Sequence, residues 1–405
     1  MIKHLVIFIL LAFNNLSAET LLLKNATIYT GESDSALQGY DILIDNGIIV
    51  SIKEEVTESA DVTTNLEEKI ITAGLIAPFS QMGLVEIGMI QETRDDNSDL
   101  YSAGFSITQA FNPSSTLIPY NLNGGVTSSI SAPSGSGLFS GLGSSFSLSG
   151  ENNSLITKDL ALYASLGAGE GSKAANLLLM EDTFELARKY DPNSNELQNY
   201  SLPNSIKYSK RDLLAVKRVI DKEIPLVISA DRASDILTLI RFAQEQDIEL
   251  ILKGASEGWM VSKQLSESDI PVILSPINNL PSSFDRLGSR LENASLLNKA
   301  GVRILISSDR WETHNAYLSR QGAGIAVAYG LPWHEALRAL TLNVADIFDI
   351  PNRGSISTGN IADLVVWDSD PLEVTAFAEK VYISGKLMST QTRSKLLKDR
   401  YLNID

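Results

Sequence analysis

Short apolar runs with strand-like spacing follow residue 19. They lie at residues 21–23, 26–29 and 41–44, and a further run at 48–52 follows Asn46-Gly47. An Asn-Gly pair between two apolar runs is a strong signal for a two-residue hairpin turn. The pattern therefore predicts a small group of antiparallel strands in this part of the chain.

A matching set of short strands is predicted near the other end, at residues 362–367 and 380–386. Two sets of short strands at opposite termini are expected to combine into one small β-sandwich. We assign residues 19–71 and 355–390 to this composite domain. Residues 391–405 are expected to form a C-terminal tail.

The middle of the chain alternates short apolar runs with stretches of helical period. Residues 225–228, 249–252, 271–274 and 302–306 read as strands, and residues 235–246 carry apolar positions on one helical face. Leu337, Leu340, Val344 and Ile347 predict the apolar side of another helix, which opens at Pro332.

Alternating strands and helices predict a parallel sheet. No dinucleotide-binding fingerprint follows the first strand, so a closed barrel is favoured over an open sheet. The predicted fold class is α/β: a (β/α)8 TIM-type barrel over residues 72–354, with residues 125–130 as its second strand, and the small β-sandwich domain built from both termini.

Two polar segments do not fit this alternation. Residues 95–121 and 190–207 predict long loops, which either shape a site at the barrel mouth or form simple surface excursions. The glycine- and serine-rich stretch 134–143 lacks the lysine that a phosphate-binding loop requires. Nucleotide binding is therefore not expected there.

Composition narrows the partners and the location. The 405 residues carry a formal net charge of −16, which argues against a nucleic-acid partner. Lys3, the apolar run 5–13 and the small residues 16–18 are typical of an export signal. We expect a signal peptide at residues 1–18, a periplasmic or secreted protein, and no membrane association after the signal is removed. The chain has no cysteine, so disulfides are excluded.

One segment resembles a known metal-binding strand. Residues 73–81 read A-G-L-I-A-P-F-S-Q and resemble the first barrel strand of the amidohydrolase superfamily, which usually reads P-G-L-I-D-x-H-x-H. The two histidines of that motif bind the catalytic metal, and here Phe79 and Gln81 stand in their places. Residues 124–127, G-G-V-T, are similar to the imidazolonepropionase-like branch, and residues 359–364 resemble the family's G-x-x-A-D-L signature.

The other metal positions of the family are replaced as well. Residues 225–236 resemble P-V-x-V-H-A-H-R-A-D-D-I, with Ser229 and Asp231 in place of the two histidines. Residues 250–259 resemble L-V-I-E-H-G-T-E-G-Y, with Gly254 at the histidine position. Asp309 follows Ser308 at the end of a strand and matches the family's catalytic aspartate, which binds metal and takes the proton from the attacking water.

The resemblance therefore implies the family's scaffold without its metal chemistry. The chain has only three histidines, His4, His314 and His334, and His334 reads as a surface residue at a helix start. A catalytic zinc depends on three or four strong ligands to lower the pKa of its bound water. We expect no cofactor. A hard divalent cation at Asp231 and Asp309 is the alternative.

Two functional hypotheses follow. The first is a degenerate paralogue of the hydrolases of non-peptide carbon–nitrogen bonds, a pseudoenzyme that binds a small-molecule ligand or a homologous subunit. The second is an active hydrolase of a cyclic amide or imide. It would use Asp309 as base, with Asp231 or His314 in support.

Further residues are candidates for binding or for structure. We assign Arg94, Gln81 and Glu257 to substrate binding. A structural ion pair is the other interpretation of Arg94. Asp231 has a structural alternative too, as the partner of Arg232, Arg310 or another cation.

Overall fold

The structure is a computed structural model that describes residues 20–167, 172–191, 208–278, 280–308 and 314–402. Both ends of the described chain build one eight-stranded sheet, in the order β16-β15-β14-β5-β1-β2-β3 with β4 beside β1. Its strands are β1 Thr20–Tyr29, β2 Leu37–Asp45, β3 Ile48–Lys53, β4 Val62–Asn65, β5 Ile70–Ala73, β14 Leu364–Trp367, β15 Ala378–Ile383 and β16 Lys386–Leu387.

The predicted hairpin joins β2 to β3. Asn46 and Gly47 both have positive φ, 49° and 78°, as a type I′ turn requires. The apolar side chains of β1, which include Leu23, Ala26 and Ile28, are fully buried in the core of this β-rich domain. Apolar burial therefore fixes which side of the strands faces inward.

The second sheet also has eight strands, and it curves until its last strand lies near its first. Its strands are β6 Leu75–Ser80, β7 Val126–Ser131, β8 Phe139–Ser147, β9 Leu155–Ser165, β10 Leu226–Ala230, β11 Leu250–Gly254, β12 Val272–Leu274 and β13 Ile304–Ile306. The predicted TIM-type barrel and the small β domain built from both termini are confirmed. The strands of that domain, which were expected to form a β-sandwich, belong to one eight-stranded sheet.

One strand departs from the all-parallel pattern. Strand β8 pairs antiparallel with both β7 and β9. It follows β7 through a short connection within the glycine- and serine-rich stretch, which forms a hairpin and a strand instead of a crossover helix. Gly143 is required here, because an added Cβ would lie 2.5 Å from Cε2 of Tyr163 on the neighbouring strand.

The described helices pack around the barrel or follow it in sequence. They are α1 Ile118–Leu122, α2 Lys173–Lys189, α3 Lys210–Ile220, α4 Ala233–Gln246, α5 Ser262–Glu267, α6 Asn293–Lys299, α7 Ser319–Ala328, α8 Trp333–Arg338, α9 Leu342–Ile347 and α10 Arg393–Leu402. Helix α10 lies where a tail was expected, and it buries no residue. Among the described residues, no helix combines the length and apolarity needed to cross a bilayer.

Two helices that the apolar period predicts have different outcomes in the structure. Helix α4 buries Ile236, Leu239 and Ile240, as its 3.6-residue period predicts. The prediction of a single helix after Pro332 is wrong, because two separate helices, α8 and α9, occupy this part of the chain. Thr341 between them adopts φ −137° and ψ −95°, which is not helical, and its hydroxyl donates to the carbonyl of Leu337.

The two predicted loops have different outcomes. Residues 95–121 are irregular until α1 begins at Ile118. Most of the predicted loop 190–207 lies outside the described residues, as does the predicted signal peptide.

Candidate functional site

A cavity of about 290 Å³ lies at the barrel mouth, at the carboxyl ends of the parallel strands. This is the face on which barrel enzymes place their sites. Four of the five replaced family positions, Phe79, Ser229, Asp231 and Gly254, line it together. The positions identified by resemblance thus converge, although their side chains are not metal ligands of the family's kind.

Phe79 lies in the mouth with only 8% of its surface exposed. Its ring centroid is 5.9 Å from that of Tyr163, and the ammonium of Lys253 lies 4.1 Å from the same Phe79 centroid. An aromatic face attracts such a cation. The first family metal position is therefore occupied by a ring with a lysine ammonium beside it.

Asp231 is engaged by protein groups. Its carboxylate accepts a hydrogen bond from Nε of Arg286 at 2.7 Å and others from the hydroxyl and backbone N–H of Ser256 at 2.6 and 3.2 Å. Both side chains of the ion pair are less than one fifth exposed. The structure thus gives Asp231 a structural cation partner, Arg286, whereas Arg232 pairs with Asp285.

Gly254 could not be a histidine in this backbone. Its φ is +99°, and an added Cβ would lie 2.7 Å from Oδ1 of Asp231. The conformation is one that residues with a Cβ rarely adopt. The replacements at positions 231 and 254 therefore depend on each other, because the Asp231 carboxylate takes the space a side chain at 254 would need.

The segment 284–291, which we call the strap, lines part of the mouth and is held by charges. Asp285 of the strap pairs with Lys173 at 2.7 Å and with Arg232 at 2.5 Å, and Lys173 also pairs with Asp235 at 2.5 Å. The hydrogen bond from Lys173 holds the pKa of Asp285 below its usual value. Burial acts to lower the pKa of Lys173, but the bonds to its two carboxylates outweigh burial and raise it.

Glu257 holds the strap through a hydrogen bond to its backbone. Its buried carboxylate accepts hydrogen bonds from the backbone N–H groups of Gly288, at 2.9 Å, and of Ala233, at 3.0 Å. The indole of Trp259 donates to the carbonyl of Gly288 at 2.8 Å. The residue assigned to substrate binding therefore joins the strap to the start of α4.

Gln81, Arg94 and His314 are not among the residues that line the cavity. Arg94 makes two hydrogen bonds, at 3.1 and 2.9 Å, to the carboxylate of fully buried Asp96, so the structural ion pair considered for it is present. The carbonyl of His314 accepts a hydrogen bond from Asn121. Asp309 lies outside the described residues, and its catalytic role stays a prediction.

The described donor set at the mouth does not fit the family's metal. Within the described ranges, the one group of three close metal-ligating side chains is Asp34, His334 and Glu335, away from the cavity. Arg338 binds both carboxylates of that group, at 2.9 and 2.7 Å. The mouth instead presents Phe79 at one of the family's histidine positions, with the ammonium of Lys253 beside its ring.

Sequence reasoning missed most of the charged groups around the cavity. Lys253 stands directly after the apolar run of β11, so a charge at the end of a barrel strand was a usable signal. Lys173, Asp285, Arg286 and Arg290 also line the cavity. Three of these belong to the strap, whose sequence has no helical or strand period.

Comparisons with known proteins agree with this fold. Residues 251–388 match the model of the Amidohydrolase family. The crystal structure of an amidohydrolase from Thermotoga maritima superimposes with a TM-score of 0.80 at 26% identity, covering 92% of this chain and 100% of that one.

Two curated relatives match over short stretches. Amidohydrolase tasK of Hapsidospora irregularis is 50% identical over 58 residues, and an adenine deaminase of Nitratidesulfovibrio vulgaris is 38% identical over 66 residues. These stretches cover 14% and 16% of this chain and only 6% and 11% of the relatives' own lengths.

The resemblance inferred from the sequence is thereby confirmed. The chain has the fold of the amidohydrolase superfamily, and residues 251–388 carry the family's sequence. Its relatives are hydrolases of that superfamily. Which branch it is nearest to stays a prediction.

Proposed function

We propose that this protein binds a small-molecule ligand at the barrel mouth and lacks the metal-dependent hydrolysis of its relatives. The observation that carries the proposal is the Phe79–Lys253 pair, with the ammonium 4.1 Å from the ring centroid. A phenyl ring offers no lone pair to a metal. The ammonium of Lys253 beside the ring would also repel a metal cation.

The pair of Asp231 and Gly254 supports the same conclusion. The Asp231 carboxylate is neutralised by Arg286 at 2.7 Å and occupies the space above Gly254. Restoring a histidine at 254 would require moving both Asp231 and the strap residue that holds it. The described site is therefore rebuilt around an ion pair, and one substitution would not return it to a metal centre.

A retained cavity supports ligand binding as the remaining role. The mouth keeps a volume of about 290 Å³, close to the lower end of ordinary small-molecule pockets. The strap that lines it is held by ion pairs to Lys173 of α2 and to Arg232, which immediately precedes α4. A cavity at the catalytic face, lined in part by a segment that ion pairs hold in place, suits recognition of a small molecule.

Hydrolysis assays test the proposal. Purified full-length protein should hydrolyse amides, lactams and cyclic imides no faster than buffer, with or without added zinc, because the described groups at the mouth do not form the family's metal site. Asp309→Asn is the matched variant. Hydrolysis above background that is abolished by Asp309→Asn would overturn the proposal and favour the aspartate-based hydrolase.

A further inference from the structure

A second cavity, of about 490 Å³, lies on the face of the barrel opposite the mouth. The residues that directly precede β10, β11, β12 and β13 all line it, namely Pro225, Glu249, Pro271 and Arg303. The amino ends of these four parallel strands therefore meet at this cavity, which we call the acidic groove.

The acidic groove combines exposed carboxylates with apolar side chains. Arg303 is the single cation among its described lining residues, against five exposed carboxylates: Asp247, Glu249, Asp269, Asp346 and Asp349. Half-buried or buried Ile248, Ile270 and Ile347 line it as well. Like charges in this arrangement repel one another, so a partner that brings cations and apolar side chains would be stabilised there.

Helix α10 has the complementary composition. Its ten residues carry one carboxylate, Asp399, and four cations, Arg393, Lys395, Lys398 and Arg400. The whole chain, in contrast, has a net charge of −16. The helix buries none of its residues, and it also exposes four large apolar side chains, Leu396, Leu397, Tyr401 and Leu402. Basic helices with exposed apolar side chains commonly bind in grooves of a partner protein.

The helix of one chain lies away from the groove of the same chain. It is attached near the start of β7, where the hydroxyls of Tyr120 and Ser394 share a hydrogen bond and Lys395 donates to Oδ1 of Asn123 at 3.2 Å. In the eight-stranded barrel, β7 is the second strand and β11, whose start lines the groove, is the sixth. The two strands are thus four positions apart in either direction around the barrel.

We propose that helix α10 of one copy of this chain docks in the acidic groove of a second copy. A reciprocal exchange in a twofold dimer makes two such contacts, and twofold dimers are the commonest protein assemblies. The interface is separate from the barrel mouth, so this inference does not depend on the proposed function.

Self-association of the full-length protein is the first measurement. Sedimentation velocity over a range of protein concentrations should show a dimer at low ionic strength and a weaker one at high ionic strength, because salt screens exposed charges. A protein that stays monomeric at every concentration at low ionic strength would overturn the inference.

Charge reversal assigns the interface to its two surfaces. Lys398→Glu with Arg400→Glu should raise the dissociation constant of the dimer about tenfold or more, and so should Glu249→Lys with Asp346→Lys. The control is Lys53→Glu with Lys158→Glu, at lysines that are 56% and 60% exposed and lie outside both surfaces, and it should leave the constant unchanged. Circular dichroism checks that each variant is folded.

Mixing the two reversed variants gives the sharpest result. Each variant alone places like charges together, whereas a mixed dimer pairs an acidic helix with a basic groove and a basic helix with an acidic groove. We expect the equimolar mixture to regain dimers that neither variant forms alone. Folded variants that dimerise like the wild type, or a mixture that stays monomeric, would contradict the inference.

Discussion

Gly254 shows how the residues of the mouth constrain one another. Its φ of +99° and the short distance that an added Cβ would have to Asp231 mean that the position accepts glycine alone without a shift. Asp231 in turn is held by Arg286 and Ser256. The loss of a histidine at 254 is therefore tied to a specific ion pair.

Substitution of Gly254 tests this dependence. Gly254→Ala should lower the free energy of unfolding by about 2–3 kcal/mol, through backbone strain together with the contact to Asp231. Gly359→Ala is the control, since Gly359 has a similar φ of +95° but no atom within 4 Å of an added Cβ. It should cost about 1 kcal/mol less than Gly254→Ala in urea unfolding. Equal losses in the two variants would show that the Asp231 contact does not matter.

At the scale of elements, the strap at 284–291 is the segment that completes the mouth. It has no helix or strand. Its position depends on the bonds of Asp285 to Lys173 of α2, of Arg286 to Asp231 after β10, and of Gly288 to Glu257. Ion pairs of partly exposed groups are individually weak, but several together fix a loop. The strap should therefore respond to pH.

Asp285→Asn measures that response. The folded-state pKa of Asp285 is lowered from 3.8, so its stabilising contribution is full above that unfolded value and is lost as pH falls through the folded pKa. The variant should be less stable than the wild type near pH 7, and the difference should shrink as pH falls below 3.8. Urea unfolding over this pH range is the measurement. A difference that does not change with pH would contradict the role of the carboxylate charge.

Periodicity predicted the elements whose burial is regular. Helix α4 was predicted because its apolar residues recur on one face. The β2–β3 hairpin was predicted because an Asn-Gly pair, here Asn46-Gly47, favours a two-residue turn. Strand β8 was missed because glycine and serine residues, which carry little hydrophobic signal, occupy most of its buried positions. The break between α8 and α9 at Thr341 leaves the apolar period of the sequence intact, so that period did not reveal it.

For the whole molecule, the sequence predicted the scaffold better than the site. Strand signals at both ends indicated the composite β-rich domain, and the barrel followed from the alternating elements between them. The resemblance located Phe79, Ser229, Asp231 and Gly254, which the fold brings together. The partners of these residues, Arg286 and Lys173 among them, come from distant parts of the chain, and no local pattern specifies such pairings.

The central claim is that this scaffold has exchanged its metal centre for an organic cation and an ion pair. Zinc content, measured by mass spectrometry on full-length protein produced with added zinc and never exposed to a chelator, tests it most directly. The His334→Ala variant disrupts the partly exposed Asp34–His334–Glu335 group and so separates binding there from binding at the mouth. We predict no stoichiometric zinc in His334→Ala protein. One or two zinc ions retained per chain in that variant would contradict the account.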